Sequence, residues 1–380
     1  MEAYSFTAEQ LYDAIFTEKE DFLLVDVRNN EEFGKFSVEG PFLKQMINVP
    51  YFEFLEHEDE SIKKVPTREK IKIVCAKEGS AKYVADILLN LGFKDVGFLT
   101  GGIGTWADLL KPQLIEENDR FSLFQFIRPG KASLSYGLVC EEECFIFDPA
   151  RLVNVYLDFA KSHNIKITKI FETHLQADYI SGSQNLSAIA QAQIFAHKDD
   201  YGMASFKYNA VENGQTIKSA NGSVDVKVIH TPGHTPGSTS YLIDDRFLIS
   251  GDAVFIKSIG RPDLGGKVEE WSGFLFDTIQ NVLKKIDDKV QVMPGHYMDW
   301  SEMTSEGLFI DSLGHIMETN NKIYSLEDVK AFTAFIKENM RPQPGVYAEI
   351  RKVNAGLLDP PEDEQIIMDI GKNECAATKV

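Results

Sequence analysis

Cysteine is scarce in this sequence, with Cys75, Cys140, Cys144 and Cys375 the only four in 380 residues. So few thiols make no disulfide framework for a chain of this length, and a reducing compartment is expected. Basic residues are outnumbered, Lys+Arg 39 against Asp+Glu 58, for a formal net charge of −19. A nucleic-acid backbone or an anionic membrane surface would be repelled, so small molecules or proteins are the expected partners. Nowhere do about eighteen apolar residues run together. The opening stretch, MEAYSFTAEQLYDAIF, has no basic region followed by an apolar one, and a soluble, cytoplasmic chain is expected. Internal repeats and low-complexity tracts are lacking too.

What is present is apolar residue enough, 43% of the chain, to bury two cores. Thr7 and Gln10 can form a capping box for an amphipathic helix over TAEQLYDAIF, which leads into the apolar run FLLVDVR. A second such strand, IKIVC, is followed by the helix SAKYVADILLNLGF, and a third, VGFLTGG, closes in glycines. This alternation predicts a small doubly wound parallel sheet over residues 1–112, with its active edge at the strand C-termini. The polar KPQLIEENDR reads as a linker. Within 113–380 strands then follow in succession from near residue 118 (FSLFQFI, ASLSYGLVC, CFIFDPA) before they interleave with helices. Two packed sheets flanked by helices, an αββα sandwich with a C-terminal helical tail, are expected.

Cys75 sits where a strand stops and a helix starts, so backbone N–H groups and the helix dipole point at its sulfur. Such a cradle is expected to lower the thiol pKa and to stabilise an anionic persulfide; the bland alternative is a buried small hydrophobe. VDVRNNEEF, INVPY and LTGGIGTW stand around it in an order and spacing that resemble the rhodanese family. That resemblance implies that Cys75 is a sulfur-accepting nucleophile, that Ala76, Lys77, Glu78, Gly79 and Ser80 complete the sulfur cradle, and that Asp26 and Arg28 brace the fold. Glu78 departs from the arginine-bearing loops that act on thiosulfate, because a carboxylate there repels a dianion.

Candidate metal ligands recur at the ends of apolar strands: His174 in FETHLQADY, His234 in HTPGHTPGSTSY, Asp252 in LISGDAVF and His296 in VMPGHY. His57, His163, His197, His230 and His315 read as structural. The four selected positions resemble, in order, the metallo-β-lactamase superfamily, with PGHTPGS and SGD its most specific matches. The dinuclear members need an HxHxDH loop, and Gln176 and Tyr179 each remove an imidazole from it, so neither dinuclear ligand set is complete. In particular, Asp178 and His296 lack a third strong partner. His174, His234 and Asp252 survive, two imidazoles and a carboxylate, the facial triad of a non-haem Fe(II) oxygenase.

The same three positions are the iron ligands in the persulfide dioxygenase branch, which SIGRPDL also resembles, while the tail RKVNAGLLDPPEDEQIIMDIGKNECAA resembles the C-termini of bacterial rhodanese and lactamase fusions. The resemblance implies one Fe(II) per chain, and oxidation of a glutathione- or bacillithiol-type persulfide by O₂ to sulfite and thiol, coupled to sulfur transfer at Cys75. Asp178 is expected to orient a ligand histidine. Tyr179 either packs or offers its phenol to oxygen. Arg261 either holds a substrate carboxylate or bridges to Asp263. Cys140 and Cys144 read as packing residues of a hairpin. Two other readings stand beside this one: a mononuclear zinc thioester hydrolase of glyoxalase II type, and a sulfur carrier or sensor with a structural metal. The thiol carrier, the direction of sulfur transfer and a homo-oligomeric state are left open.

Overall fold

Thr7 caps the helix Ala8–Phe16 in both directions, its hydroxyl accepting from the Gln10 N–H while the Gln10 side chain accepts from the Thr7 N–H. Leu11, Ala14 and Ile15 on one face of that helix are buried. The computed structural model describes residues 2–377 apart from 68, 341, 342 and 374. It divides the chain into two units. The first comprises residues 1–111 with the short segments 128–131 and 370–372; the second comprises the remainder.

The first unit holds β1 (Tyr4–Phe6), β2 (Leu23–Asp26), β3 (Gln45–Asn48), β4 (Lys70–Val74) and β5 (Asp95–Leu99), in the order β1-β5-β4-β2-β3. Every pairing is parallel, as expected for a doubly wound sheet. Leu23, Val25, Ile71 and Ile73 pack with Val84 and Leu88 of the helix Glu78–Asn90. Asp26 and Arg28, both buried, form an ion pair at 2.6 Å and brace the end of β2.

The second unit is a two-sheet sandwich. One sheet, in the order β12-β11-β10-β9-β8-β7-β6, contains β6 (Lys111–Glu117), β7 (Ser122–Arg128), β8 (Ser133–Cys140), β9 (Glu143–Phe147), β10 (Lys166–Phe171), β11 (Gln193–Ala196) and β12 (Asn209–Ala210). The other runs in sequence order: β13 (Thr216–Lys218), β14 (Asp225–His230), β15 (Thr239–Ile243), β16 (Phe247–Gly251), β17 (Gln291–Pro294) and β18 (Asp311–Ser312). Leu134, Leu138, Phe145 and Phe171 of the first sheet share one core with Val226, Val228, Leu248 and Val292 of the second. The helices Val153–Ser162, Val268–Asp277, Val329–Asn339 and Tyr347–Asn354 are amphipathic. Among the described residues no helix is long and apolar enough to cross a membrane.

One expectation is corrected. Lys111–Glu117, read as a linker, is the edge strand β6. Pro112 and the acidic Glu116 and Glu117 are residues that an edge strand tolerates and a central one does not, so its polarity marked an edge rather than a connection.

Candidate metal centre and cysteine cradle

His174, His234, Asp252 and His296 each follow the C-terminal end of a strand: β10, β14, β16 and β17 respectively. The sandwich brings these ends together. One donor atom from each of His174, His234 and Asp252 lies within 4.8 Å of the other two, and all three residues are buried. Asp252 Oδ2 stands 3.7 Å from His174 Nε2 and 3.5 Å from His234 Nε2. Two atoms each about 2.1 Å from one ion stand roughly 3.0–3.4 Å apart at angles of 90–110°, so these spacings suit a shared ion with little adjustment.

The tautomers of both imidazoles follow from what lies behind them. Thr173 donates its hydroxyl proton to Asp148 Oδ2 at 2.8 Å, so at 2.9 Å from His174 Nδ1 it can only accept. His234 Nδ1 faces the Arg261 carbonyl at 3.0 Å, another acceptor. In both rings the proton is therefore on Nδ1 and the Nε2 lone pair faces Asp252. His174 Nε2, His234 Nε2 and Asp252 Oδ2 are buried without a hydrogen-bond partner among the described residues. Three converging orphaned acceptors with no donor among them fit a cation. Burial pushes His234 down to about 3, which keeps it neutral as a ligand must be. Burial alone would raise Asp252, but His296, the leading opposing influence and the hydrogen-bond donor to its outer oxygen, helps hold it well below the usual carboxylate range.

His296 does not face this group. Its Nδ1 lies 2.8 Å from Asp252 Oδ1, the oxygen turned away from the triad, and its Nε2 lies 2.9 Å from Asp178 Oδ2. Asp178 thus stands beside His296 rather than beside a triad histidine. Tyr179 is buried and donates to the Asp148 carbonyl at 3.3 Å. Gln176 Nε2 is 3.5 Å from His174 Nδ1, on the side of the ring opposite the triad. Arg261 bridges to Asp263 through two hydrogen bonds, of 2.6 and 2.8 Å.

Two glycines make the crowding possible. Gly251 has φ +51, and a Cβ there would collide with the Thr173 side chain; one at Gly260 would collide with the Asp252 carbonyl. The sequence reading missed the Asp148–Thr173 relay, although Asp148 in CFIFDPA also follows a strand that ends at this edge. It also missed Cys375. A donor atom of buried Cys375 lies within 4.8 Å of donor atoms of both Asp178 and His296, a neighbour that the motifs do not show. His197, His230 and Asp199 also cluster, but the two rings stack at 4.2 Å and 11°. Ring lone pairs lie in the ring plane, so stacked rings do not converge on one ion. His230 Nε2 donates to the Pro236 carbonyl and His197 Nδ1 accepts from the Asp199 N–H, both structural roles. Cys140 and Cys144 are buried, free, and part of the β8–β9 hairpin.

In the first unit Cys75 follows β4 directly, and Lys77 precedes the helix Glu78–Asn90. Gly102, at φ +78, lies so close behind the loop that a Cβ would collide with the Ala76 carbonyl. The N–H groups of Lys77 and Ala76 and the Ser80 hydroxyl do pull the thiol pKa down, but burial outweighs them and the net shift is upward. The expected lowering is thereby corrected: the sulfur is buried while Ala76, Lys77 and Gly79 are exposed. Glu78 accepts from the Gly101 N–H at 2.9 Å, which anchors its carboxylate against the glycine turn.

Comparison with known proteins agrees with this division. The rhodanese-like domain family matches residues 7–109, and the metallo-beta-lactamase superfamily matches residues 131–296. A probable polyketide biosynthesis zinc-dependent hydrolase of Bacillus velezensis is 28% identical over 207 residues, 53% of this chain and 83% of that protein. Among solved structures, a metallo-beta-lactamase from Staphylococcus aureus is 28% identical with a TM-score of 0.57, covering 63% of this chain and 74% of that one. ETHE1 from Myxococcus xanthus shares the fold at 24% identity and a TM-score of 0.53, over 62% of this chain and 98% of its own.

Proposed function

We propose that this chain, a rhodanese-like domain followed by a metallo-β-lactamase-fold domain, oxidises the terminal sulfur of a low-molecular-weight thiol persulfide, with one Fe(II) held by His174, His234 and Asp252. The persulfide, O₂ and water give the thiol, sulfite and two protons, so the outer sulfur is the reductant and O₂ the oxidant. The observation that carries this reading is the donor set: two imidazoles and one carboxylate, with their unpartnered atoms turned to one point. A two-histidine, one-carboxylate set leaves positions open on its ion and is the set of non-haem Fe(II) oxygenases, while catalytic zinc uses it too, so metal analysis separates the two readings. Bound there, Fe(II) would supply the one-electron and O₂ chemistry that protein side chains lack.

The chain's own residues hold this set in place. Thr173 and Asp148 fix the His174 ring, and the Arg261 carbonyl fixes His234. His296 holds Asp252 by its outer oxygen, so that the inner one stays turned to the two histidines. At Cys75 the thiolate would attack the sulfane sulfur of a donor, the donor's sulfur bond breaking as the cysteine persulfide forms, and a thiol would then accept that sulfur as the substrate of the metal centre. Protein purified without oxygen should contain about one iron per chain, and should consume O₂ and release sulfite when given glutathione or bacillithiol persulfide. Zinc in place of iron, with thioester turnover and no O₂ uptake, would instead favour the hydrolase reading, for which the Bacillus velezensis relative is the supporting observation.

A further inference from the structure

We propose that Asp200 is a positioning residue for the triad: its one carboxylate ties together the two loops that carry His174 and His234, and so sets how the two imidazoles meet an ion. Asp200 stands on the short helix Lys198–Tyr201, which follows β11 and supplies no ligand itself. Its Oδ2 accepts from the Leu175 N–H at 2.9 Å and from the Thr235 hydroxyl at 2.6 Å, and its Oδ1 accepts from the Gly237 N–H at 2.7 Å. Leu175 directly follows His174 and Thr235 directly follows His234, so a single oxygen holds the residue after each ligand. Hydrogen bonds to a carboxylate are roughly twice as strong as neutral ones. The Leu175 and Gly237 N–H groups make no other hydrogen bond among the described residues. Both residues are buried, so without Asp200 two backbone donors would be left unsatisfied.

Gly237 makes room for this contact, since a Cβ there would collide with the Asp200 side chain. Thr235 gives its one hydroxyl proton to Asp200, so the Ser238 hydroxyl, 2.8 Å away, donates to Thr235 and in turn accepts from the Thr235 N–H at 3.0 Å. Tyr201, on the same short helix, donates to the His174 carbonyl at 3.3 Å. On the other side of His174 the Thr239 N–H donates to the Thr173 carbonyl at 2.7 Å. His174 is thereby bracketed by two ties to the segment that carries His234. The Thr173 hydroxyl and the Arg261 carbonyl fix how each ring turns. Asp200 fixes where the two backbones stand, and with it the meeting of the rings, whose centroids lie 4.9 Å apart with planes at 85°. The inference rests on the triad as a metal centre and not on the reaction performed there.

The test is an anaerobic titration of the full-length metal-free protein with Co(II) against a competing chelator, with the visible d–d bands of the bound ion recorded, beside urea unfolding of the metal-free protein. Asp200→Asn keeps the shape but replaces one acceptor oxygen by an amide that donates. Its Co(II) affinity should fall about 10–100-fold and its d–d bands should shift. A merely structural role would lower the urea midpoint and leave affinity and bands as in wild type, and that result would overturn the inference. Should Asp200→Asn fail to fold, Thr235→Val removes the hydroxyl tie alone and Thr235→Ser restores it. Weaker Co(II) binding in the first with recovery in the second is expected, and equal binding in both would overturn the inference. A wild type that takes up no Co(II) would overturn it together with the iron reading. Bands that move with Asp200 in a protein that consumes no O₂ would count against the persulfide oxidation alone.

Discussion

Replacing His296 with Ala separates a residue that holds a ligand from one that is a ligand. The exchange removes the imidazole 2.8 Å from Asp252 Oδ1 but leaves His174, His234 and Asp252 Oδ2 in place. Loss of such an outer partner lowers metal affinity about 10–100-fold, or about 1.4–2.7 kcal/mol. Losing a ligand costs more. Roughly 10–16 kcal/mol spread over four ligands is about 2.5–4 kcal/mol each, so roughly 10²–10³-fold in affinity for His174→Ala or His234→Ala. Asp252→Ala should be at least as severe, since that residue is both a triad member and the partner of His296. The assay is iron per chain after anaerobic dialysis against a graded series of chelator concentrations. The His296→Ala midpoint should fall between wild type and the His174→Ala variant. If His296→Ala loses iron as readily as His174→Ala, then His296 is itself an iron ligand and the tautomer argument fails.

The two domains should be separable by substrate: Cys75→Ser should silence O₂ uptake driven by a sulfane donor plus thiol, yet spare uptake driven by preformed persulfide. Equal donor-driven uptake in wild type and variant would remove the rhodanese-like domain from the chemistry. Glu78→Arg should raise turnover with thiosulfate by exchanging a repelling charge for an attracting one, measured as thiocyanate released from thiosulfate and cyanide; no gain would show that the carboxylate anchored on Gly101 does not face the donor. Glu302 tests the electrostatics of the fold. Burial pushes its carboxyl from 4.5 up to about 7, against the N–H groups of Met298 and Asp299. A carboxyl raised on folding contributes stability below pH 4.5 that is lost as pH rises to about 7, up to about 3 kcal/mol. Glu302→Gln keeps the acceptor for the Met298 N–H, so it should match wild type near pH 4 and exceed it by about 1–2 kcal/mol at pH 8 in urea unfolding. Parallel pH profiles for the two proteins would refute that account.

How far a residue's role could be read from the sequence depended on whether its partners were local. His174, His234, Asp252 and His296 were readable because each closes an apolar strand, and strands of one sandwich end at common edges. The doubly wound half was readable for the same reason, from strands that alternate with helices. β6 was misread because an edge strand and a linker share one composition, and only pairing with β7 tells them apart. Cys75 was placed correctly in its turn, but the sign of its pKa shift was not, since N–H groups near in sequence argue for one direction and burial by the whole unit for the other. Cys375 carried no local signal at all. Nothing near it in the sequence bears a ligand pattern, and it meets Asp178 and His296 only because Arg261 and Ile259 pin the backbone on either side of it. Those two belong to the SIGRPDL stretch, so a segment first noted for a possible substrate contact serves, in the folded chain, to fix the tail. The triad and His296 follow from strand ends, whereas Cys375 comes to the same edge only through that one backbone pairing.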